Sequence, residues 1–129
     1  MAETLTGAAV RTRSVGSAAV VYATDYLNKL SGERIERECR LKLEQGCRAL
    51  IINFRDTELV NSIGVSILLG VIEAAEDAGA QLVFSDMSAQ TVELFEMLGL
   101  TRFVELARTE EEALMTLDEL AAASQGAGH

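Results

Sequence analysis

The apolar run at residues 49–52, Ala-Leu-Ile-Ile, and the stretch that follows it constrain this chain more than anything else in it. A short uninterrupted apolar run suits a strand buried on both faces, as in a parallel or mixed sheet covered by helices. A polar connection at 53–58 follows without Pro or Gly. Asn61-Ser62-Ile63-Gly64 then opens a long apolar helix pattern that ends near Gly79. Strand, loop and helix in that order bring the helix amino terminus near the carboxyl end of the strand, where α/β folds place their sites. Ser62 stands at that point. Either Asn61 or Ser62 can cap the helix, because a short side-chain oxygen accepts a free N–H of the first turn. The helix dipole also favours a negative group there, such as a phosphate. Ser62 is therefore the candidate functional centre, and a plain capping role is the alternative.

The remaining chain supports a single domain. Its 129 residues can bury a real core, and 49% hydrophobic residues fit a globular protein. No apolar run approaches the roughly 20 residues that a membrane helix needs. The start, MAETLTGAAVRTR, lacks the basic head and apolar block of a signal peptide, so a cytoplasmic location is expected. The net charge is −9, from 20 acidic and 11 basic residues. That balance argues against nucleic acid, whose binding relies on neutralising phosphates, and against anionic membrane surfaces. It leaves a protein partner with a basic rim open. Cys39 and Cys47 have neither the spacing nor the company of a metal site, since the sole histidine is His129. Reduced, partly buried thiols are expected, with no metal and no cofactor.

Taken in order, residues 1–8 read as a flexible leader, 9–122 as the domain and 123–129 as a disordered tail. Residues 9–14 alternate with strand period, Val15-Gly16 makes a turn, and 17–23 supplies a second strand, so a hairpin opens the fold. Residues 24–32 read as a loop whose Ser31 caps a helix at 33–45, stopped by Gly46 and facing inward with Ile35, Cys39 and Leu43. The buried strand comes next. In the helix after it, Leu68, Val71, Ile72 and Ala75 mark the core face, with Gly64 and Ile67 beside them. At 100° per residue the opposite side carries Ser62, Ser66, Leu69, Gly70, Glu73 and Asp77, with Ile63 near its edge. That side is a mixed patch around Ser62, available to a protein partner.

A strand at 81–85 follows. Ser88 or Asp86 starts a third helix, with Val92, Phe95, Leu94 and Leu98 inward, and Gly99-Leu100 ends it. Residues 102–106 read as a last strand. Thr109 and Glu112 form a capping box for a final helix reaching about Ala122, with Ala113, Leu114, Leu117 and Ala121 inward. The expected order is β-β-α-β-α-β-α-β-α, a small α/β domain with a mixed sheet and right-handed strand–helix–strand crossovers.

This order, together with VNSIGVSILLG, resembles the STAS domain of bacterial anti-sigma-factor antagonists. The family signature follows a buried strand as Asp, Ser, Ser or Thr, Gly, an aliphatic residue and often Gly. Asn61, Ser62, Ile63, Gly64, Val65 and Ser66 stand there in this chain. The similarity extends through GAQLVF at 79–84 and FEMLGL at 95–100, and covers roughly residues 9–120. It implies a STAS-like single domain in which Ser62 is the phosphorylatable serine. It also implies a switching partner, an anti-sigma factor that is itself a serine kinase of the histidine-kinase-like ATPase type, and a serine phosphatase that resets the switch. The unmodified form would bind and the phosphorylated form would let go. Two positions depart from the family. Asn61 replaces the acid before the serine, and the loop Ala23-Thr24-Asp25-Tyr26-Leu27 replaces the usual Gly-aliphatic-Asp, leaving Asp25 as the acid available. Asn61, Ser62, Ile63, Ser66, Leu69, Gly70, Glu73 and Asp25 are accordingly the expected partner-binding residues.

An enzyme is not expected. With no internal His, Ser–His and Cys–His pairs are excluded, and no Walker glycine loop occurs. Glu110, Glu111 and Glu112 fall in a helix first turn, where acids favour the dipole. The alternative function is an interaction or scaffold module of a signalling or transport assembly that is never phosphorylated.

Overall fold

The computed structural model of the protein describes residues 10–127, with side chains described as far as residue 120. Its elements are β1 (Thr12–Val15), β2 (Ala18–Tyr22), β3 (Tyr26–Leu27), α1 (Lys29–Glu44), β4 (Ala49–Asn53), β5 (Leu59–Val60), α2 (Ser62–Asp77), β6 (Gln81–Ser85), α3 (Ala89–Met97), a 3₁₀ turn (Leu100–Arg102), β7 (Glu105–Ala107) and α4 (Glu110–Ala127). The main sheet runs β1-β2-β4-β6-β7, antiparallel between β1 and β2 and parallel elsewhere. This is the expected α/β domain with a mixed sheet. β1 and β2 meet through Gly16 and Ser17, with Gly16 at φ 60°, which suits the primed turns that match strand twist.

β4 lies centrally, and all five of its residues are buried. Alternation along the strands divides the core in two. Ala19, Val21, Leu50, Ile52, Leu82 and Phe84 face α1, α2 and α3, where Ile35, Cys39, Leu68, Val71, Ile72 and Phe95 meet them. Ala18, Val20, Ile51 and Val83 face α4, where Ala113 and Leu117 meet them. Complete burial makes the central strand apolar on both faces, which is why it shows as a continuous run.

Several boundaries move. Phe54, expected in a polar connection, is buried and meets Phe84 and Phe95 edge-on, with ring centroids 5.1 and 6.2 Å away. Such edge-to-face pairs stabilise beyond their buried area, by about 0.5–1.5 kcal/mol each. α1 begins at Lys29 and not at Glu33. Its cap is Asn28, whose side chain accepts from the Ser31 N–H while the Ser31 hydroxyl accepts from the Asn28 N–H, so Ser31 is the third helical residue. Ser88, and not Asp86, caps α3. Leu98, expected inside, is exposed because α3 ends at Met97, and Leu100 takes the inner place. β7 starts at Glu105, three residues late, since residues 100–102 wind into the 3₁₀ turn. The two-residue strands β3 and β5 were not expected. The last helix runs to Ala127, past its expected end near Ala122, so most of the stretch read as a disordered tail continues the helix through alanines that favour it. The leader at 1–8 and residues 128–129 lie outside the described residues, as does the side chain of Ala121.

Two glycines show how closely the helices seat. A Cβ on Gly64, in the first turn of α2, would lie 2.5 Å from the Leu27 carbonyl oxygen. A Cβ on Gly32, in α1, would lie 2.8 Å from Ile67 Cδ1, the free end of a side chain. Backbone cannot yield as a side-chain tip can. Gly64→Ala should therefore lose about 1–3 kcal/mol of stability through overpacking. Gly32→Ala should be within about 1 kcal/mol of neutral, because helix propensity offsets the Ile67 shift. Urea denaturation of both variants checks the order, and equal losses would contradict it.

The start of α4 is tied to the sheet by charge. Glu110 receives hydrogen bonds from Arg13 and, at 3.0 Å, from the Asn53 side-chain amide. Partial burial pushes the Glu110 carboxyl up, but the donors around it, Arg13 first and then Tyr22 and Asn53, outweigh it and leave the pKa below its ordinary 4.5. A depressed carboxylate stabilises the fold above the unfolded-state pKa and loses that contribution as pH falls through the folded-state value. The urea midpoint of the wild type should exceed that of Glu110→Gln near neutral pH, and the gap should close on acidification below pH 4.5. A gap independent of pH would show that the ionised carboxylate is not responsible.

Candidate functional site

The site begins with a ribbon too short to announce itself. β3 and β5 pair in parallel, Tyr26 with Leu59 and Leu27 with Val60. The Asp25 carbonyl accepts from the N–H groups of Glu58 and Leu59 at 2.7 and 3.1 Å, and the Leu27 carbonyl accepts from the Asn61 N–H at 3.0 Å. Those bonds fix where the chain turns into α2. Gly64 then lets the first turn settle on the Leu27 carbonyl.

Asn61 is the cap. Its backbone is extended (φ −90°, ψ 175°), and its side-chain oxygen accepts from the Gly64 N–H at 2.8 Å. Its carbonyl accepts from the Val65 N–H at 3.0 Å, and its Nδ2 reaches the Tyr26 hydroxyl at 3.4 Å. Both ends of that amide are therefore engaged. Ser62 is the first helical residue, exposed, and its hydroxyl makes no hydrogen bond among the described residues. Of the two capping candidates, Asn61 takes the role and leaves the Ser62 hydroxyl to solvent. The first turn of α2 carries no acid, so no carboxylate there opposes a negative group at this end of the dipole.

Ser62, Ser66, Leu69 and Glu73 form one exposed stripe along α2, with Ser66 Oγ donating to the Ser62 carbonyl at 3.2 Å. Ile63, 47% exposed, flanks the stripe at its amino end. Two expected members lie elsewhere. Gly70 faces α1, where a Cβ would come within 3.0 Å of Glu36 Oε2, so it serves helix packing beneath the Glu36–Arg40 ion pair. Asp25 precedes β3, at the far end of the ribbon from Asn61, and its carboxylate accepts from the Tyr26 N–H at 2.8 Å.

Tyr26 and Leu59, outside the expected set, pair across the ribbon, are both exposed, and extend the apolar surface beside Asn61. Two-residue strands carry no readable period, and the Tyr in TDYL was the one available signal. Cys39 and Cys47 are free thiols far along α1 and just past its end. Burial pushes Cys39 up to about 12, so its thiolate is not formed at neutral pH. Among the described residues, no cluster of three or more His, Cys, Asp or Glu could hold a metal ion, and no helix is long and apolar enough to cross a membrane.

The structure is similar to that of the Bacillus cell fate determinant SpoIIAA in its phosphorylated form, with 24% identity and a TM-score of 0.67 over 84% of this chain and 99% of that one. It is similar to the anti-sigma factor antagonist SpoIIAA in its unphosphorylated form, with 21% identity and a TM-score of 0.69 over 85% and 98%. It is also similar to a Moorella thermoacetica RsbS variant in which glutamate replaces a serine, with 21% identity and a TM-score of 0.77 over 88% and 97%. At these identities the likeness is one of fold. The sequence profile of the STAS domain matches residues 9–113. With the profile spanning most of the chain and the mixed sheet and helix order agreeing, this protein belongs to the STAS domain family.

Proposed function

We propose that this protein is an anti-sigma-factor antagonist that works by partner switching. Unmodified, it binds an anti-sigma factor that is also a serine kinase of the histidine-kinase-like ATPase type. Phosphorylated on Ser62, it lets that partner go, and a serine phosphatase restores binding. The observation that carries this reading is the division of labour at the start of α2, where Asn61 caps the helix and the Ser62 hydroxyl remains exposed. SpoIIAA, similar in fold, is known in both phosphorylated and unphosphorylated forms.

The physics of such a switch is direct. A phosphate adds about −1.5 to −2 charges, and the positive end of the helix accommodates it within the folded protein. Packed against a partner, the same charge must be desolvated, so it opposes association far more than folding. The exposed stripe Ser62, Ser66, Leu69 and Glu73, with Asn61 and Ile63 at its head, would form the contact. Gly70 and Asp25 would act through the position of α2 and of the β3–β5 ribbon. No nucleic acid, membrane, metal or cofactor enters this mechanism, and the protein acts in the cytoplasm without catalysing a reaction.

One observation favours a second reading. Asn61 supplies a neutral amide where the family signature has an acid, so the residue before the serine brings no charge to help position a kinase. Ser62 would then be a surface hydroxyl on a constitutive scaffold module.

Mass spectrometry after incubation with the cognate histidine-kinase-like ATPase and ATP separates the two. Switching gives a single added phosphate on Ser62, absent from Ser62→Ala; no phosphate leaves the scaffold reading. For the surface itself, Ser62→Asp and Leu69→Asp should each abolish kinase binding in calorimetry. Each should change stability by less than about 0.5 kcal/mol, as exposed substitutions do. Unimpaired binding by both variants would place the contact elsewhere.

A further inference from the structure

On the α4 face of the sheet, away from α2, the apolar layer ends in a row that is polar in three of its four strands. Tyr22, Asn53, Ser85 and Ala107 are the last residues of β2, β4, β6 and β7 and align in register across the sheet. Carboxyl ends of parallel strands are where α/β folds bind ligands. Beyond this row lies an open cleft of about 390 Å³, whose lining includes Arg11, Tyr22, Asn53, Arg55, Asp86 and Glu111.

Three features set this cleft apart from ordinary surface. Ser85 Oγ, in the strand-end row, and Asp86 Oδ2, on a lining residue, are buried without a hydrogen-bond partner among the described residues. Buried polar atoms are nearly always paired, so each exception calls for an explanation. Asp86 is also the one described residue other than glycine with positive φ, 59°. Backbone of that kind concentrates at ligand clamps. Finally, the Asn53 amide is locked, accepting from the Arg55 N–H at 2.8 Å and donating to Glu110 at 3.0 Å. Glu110 is itself occupied by Arg13 and Asn53, which leaves Asp86 and Glu111 as the lining carboxylates without a partner among the described residues.

The order of strands sorts the charges. Arg11 stacks over the Tyr22 ring, 4.5 Å from its centroid, and Arg55 follows β4, so the cations line the β1-β2-β4 side. Asp86 follows β6 and Glu111 lies in the first turn of α4 after β7, so these two anions line the other, while Glu110, also on the lining, is paired with Arg13. An ion of one sign would face a wall of like charge. A small dipolar molecule would not.

We propose that this cleft is a second site, distinct from Ser62, which binds a free α-amino acid as its zwitterion. Asp86 receives the ammonium group, and Arg55 with Arg11 holds the carboxylate. Arg55 is available, since among the described residues its guanidinium otherwise has only Asp56, at 3.8 Å. The binding reaction moves no covalent bond and needs no cofactor.

The test is a ¹H–¹⁵N NMR titration of the full chain with each free L-amino acid, using ethylamine and propionate as single-charge controls. At least one amino acid should shift the backbone amides of Arg55, Asp86 and Thr109 saturably, and the controls should bind at least about tenfold more weakly, as expected when one charge-assisted contact is lost. Asp86→Asn, which tolerates the same backbone, and Arg55→Gln should each weaken that binding at least about tenfold while leaving the remaining spectrum intact. The proposal is overturned if no amino acid gives a saturable shift, if the controls bind equally well, or if both variants bind like the wild type. Ser62 phosphorylation can be read on the same samples, so failure of one site leaves the other untouched.

Discussion

The carbonyl oxygen of Leu27 is the contact on which the functional end of this molecule depends. It accepts the Asn61 N–H, and it sits where only a glycine at position 64 can follow. Those two facts press the first turn of α2 against the two-residue strand β3, whose Leu27 is itself buried in the core. Without β3 under it, the start of α2 would be set only by its apolar face, which fixes rotation about the helix axis but not the path of the entering chain. With β3 in place, the exposed serine is held at a defined point on a rigid element.

The capping arrangement has a chemical consequence. Had the serine been the cap, its hydroxyl would be committed to a backbone N–H, and any modification would cost helix stability. Asn61 takes that task with one end of its amide and reaches Tyr26 with the other. The helix end is thus complete before any partner arrives. Charge placed on the neighbouring hydroxyl would lie at the surface, and in the proposed switch it would act on association and not on the cap.

The two faces of the sheet do different work. On one, Phe54, Phe84 and Phe95 and the α1–α2 seam form a continuous apolar layer that supports the exposed stripe. On the other, α4 covers a smaller cluster that gives way to polar groups at the strand ends. The ion pair between Arg13 and Glu110, with the Asn53 amide, ties α4 across that polar end. A sheet that is apolar in the middle and polar at its carboxyl edge can carry separate chemistry on each side.

Much of the architecture was legible in the chain because it rests on local pattern. The apolar run at β4, the helical stripe of α2, the strand at 81–85 and the hairpin each span enough residues for their period to show. The exposure of Ser62, Ser66, Leu69 and Glu73 follows from the same stripe, since the face opposite a core face is solvent. What the chain alone could not reveal depends on partners distant in sequence. β3 and β5 exist only because they find each other, Phe54 is buried only because Phe84 and Phe95 wait for it, and Gly70 leaves the exposed stripe only because α1 lies against it. Whether Asn61 or Ser62 capped the helix was likewise undecided by residue type, as both can accept the same N–H. Periodicity is a property of one segment, whereas pairing, burial and the choice of a hydrogen-bond acceptor are properties of two segments brought together, and those were decided by the tertiary structure.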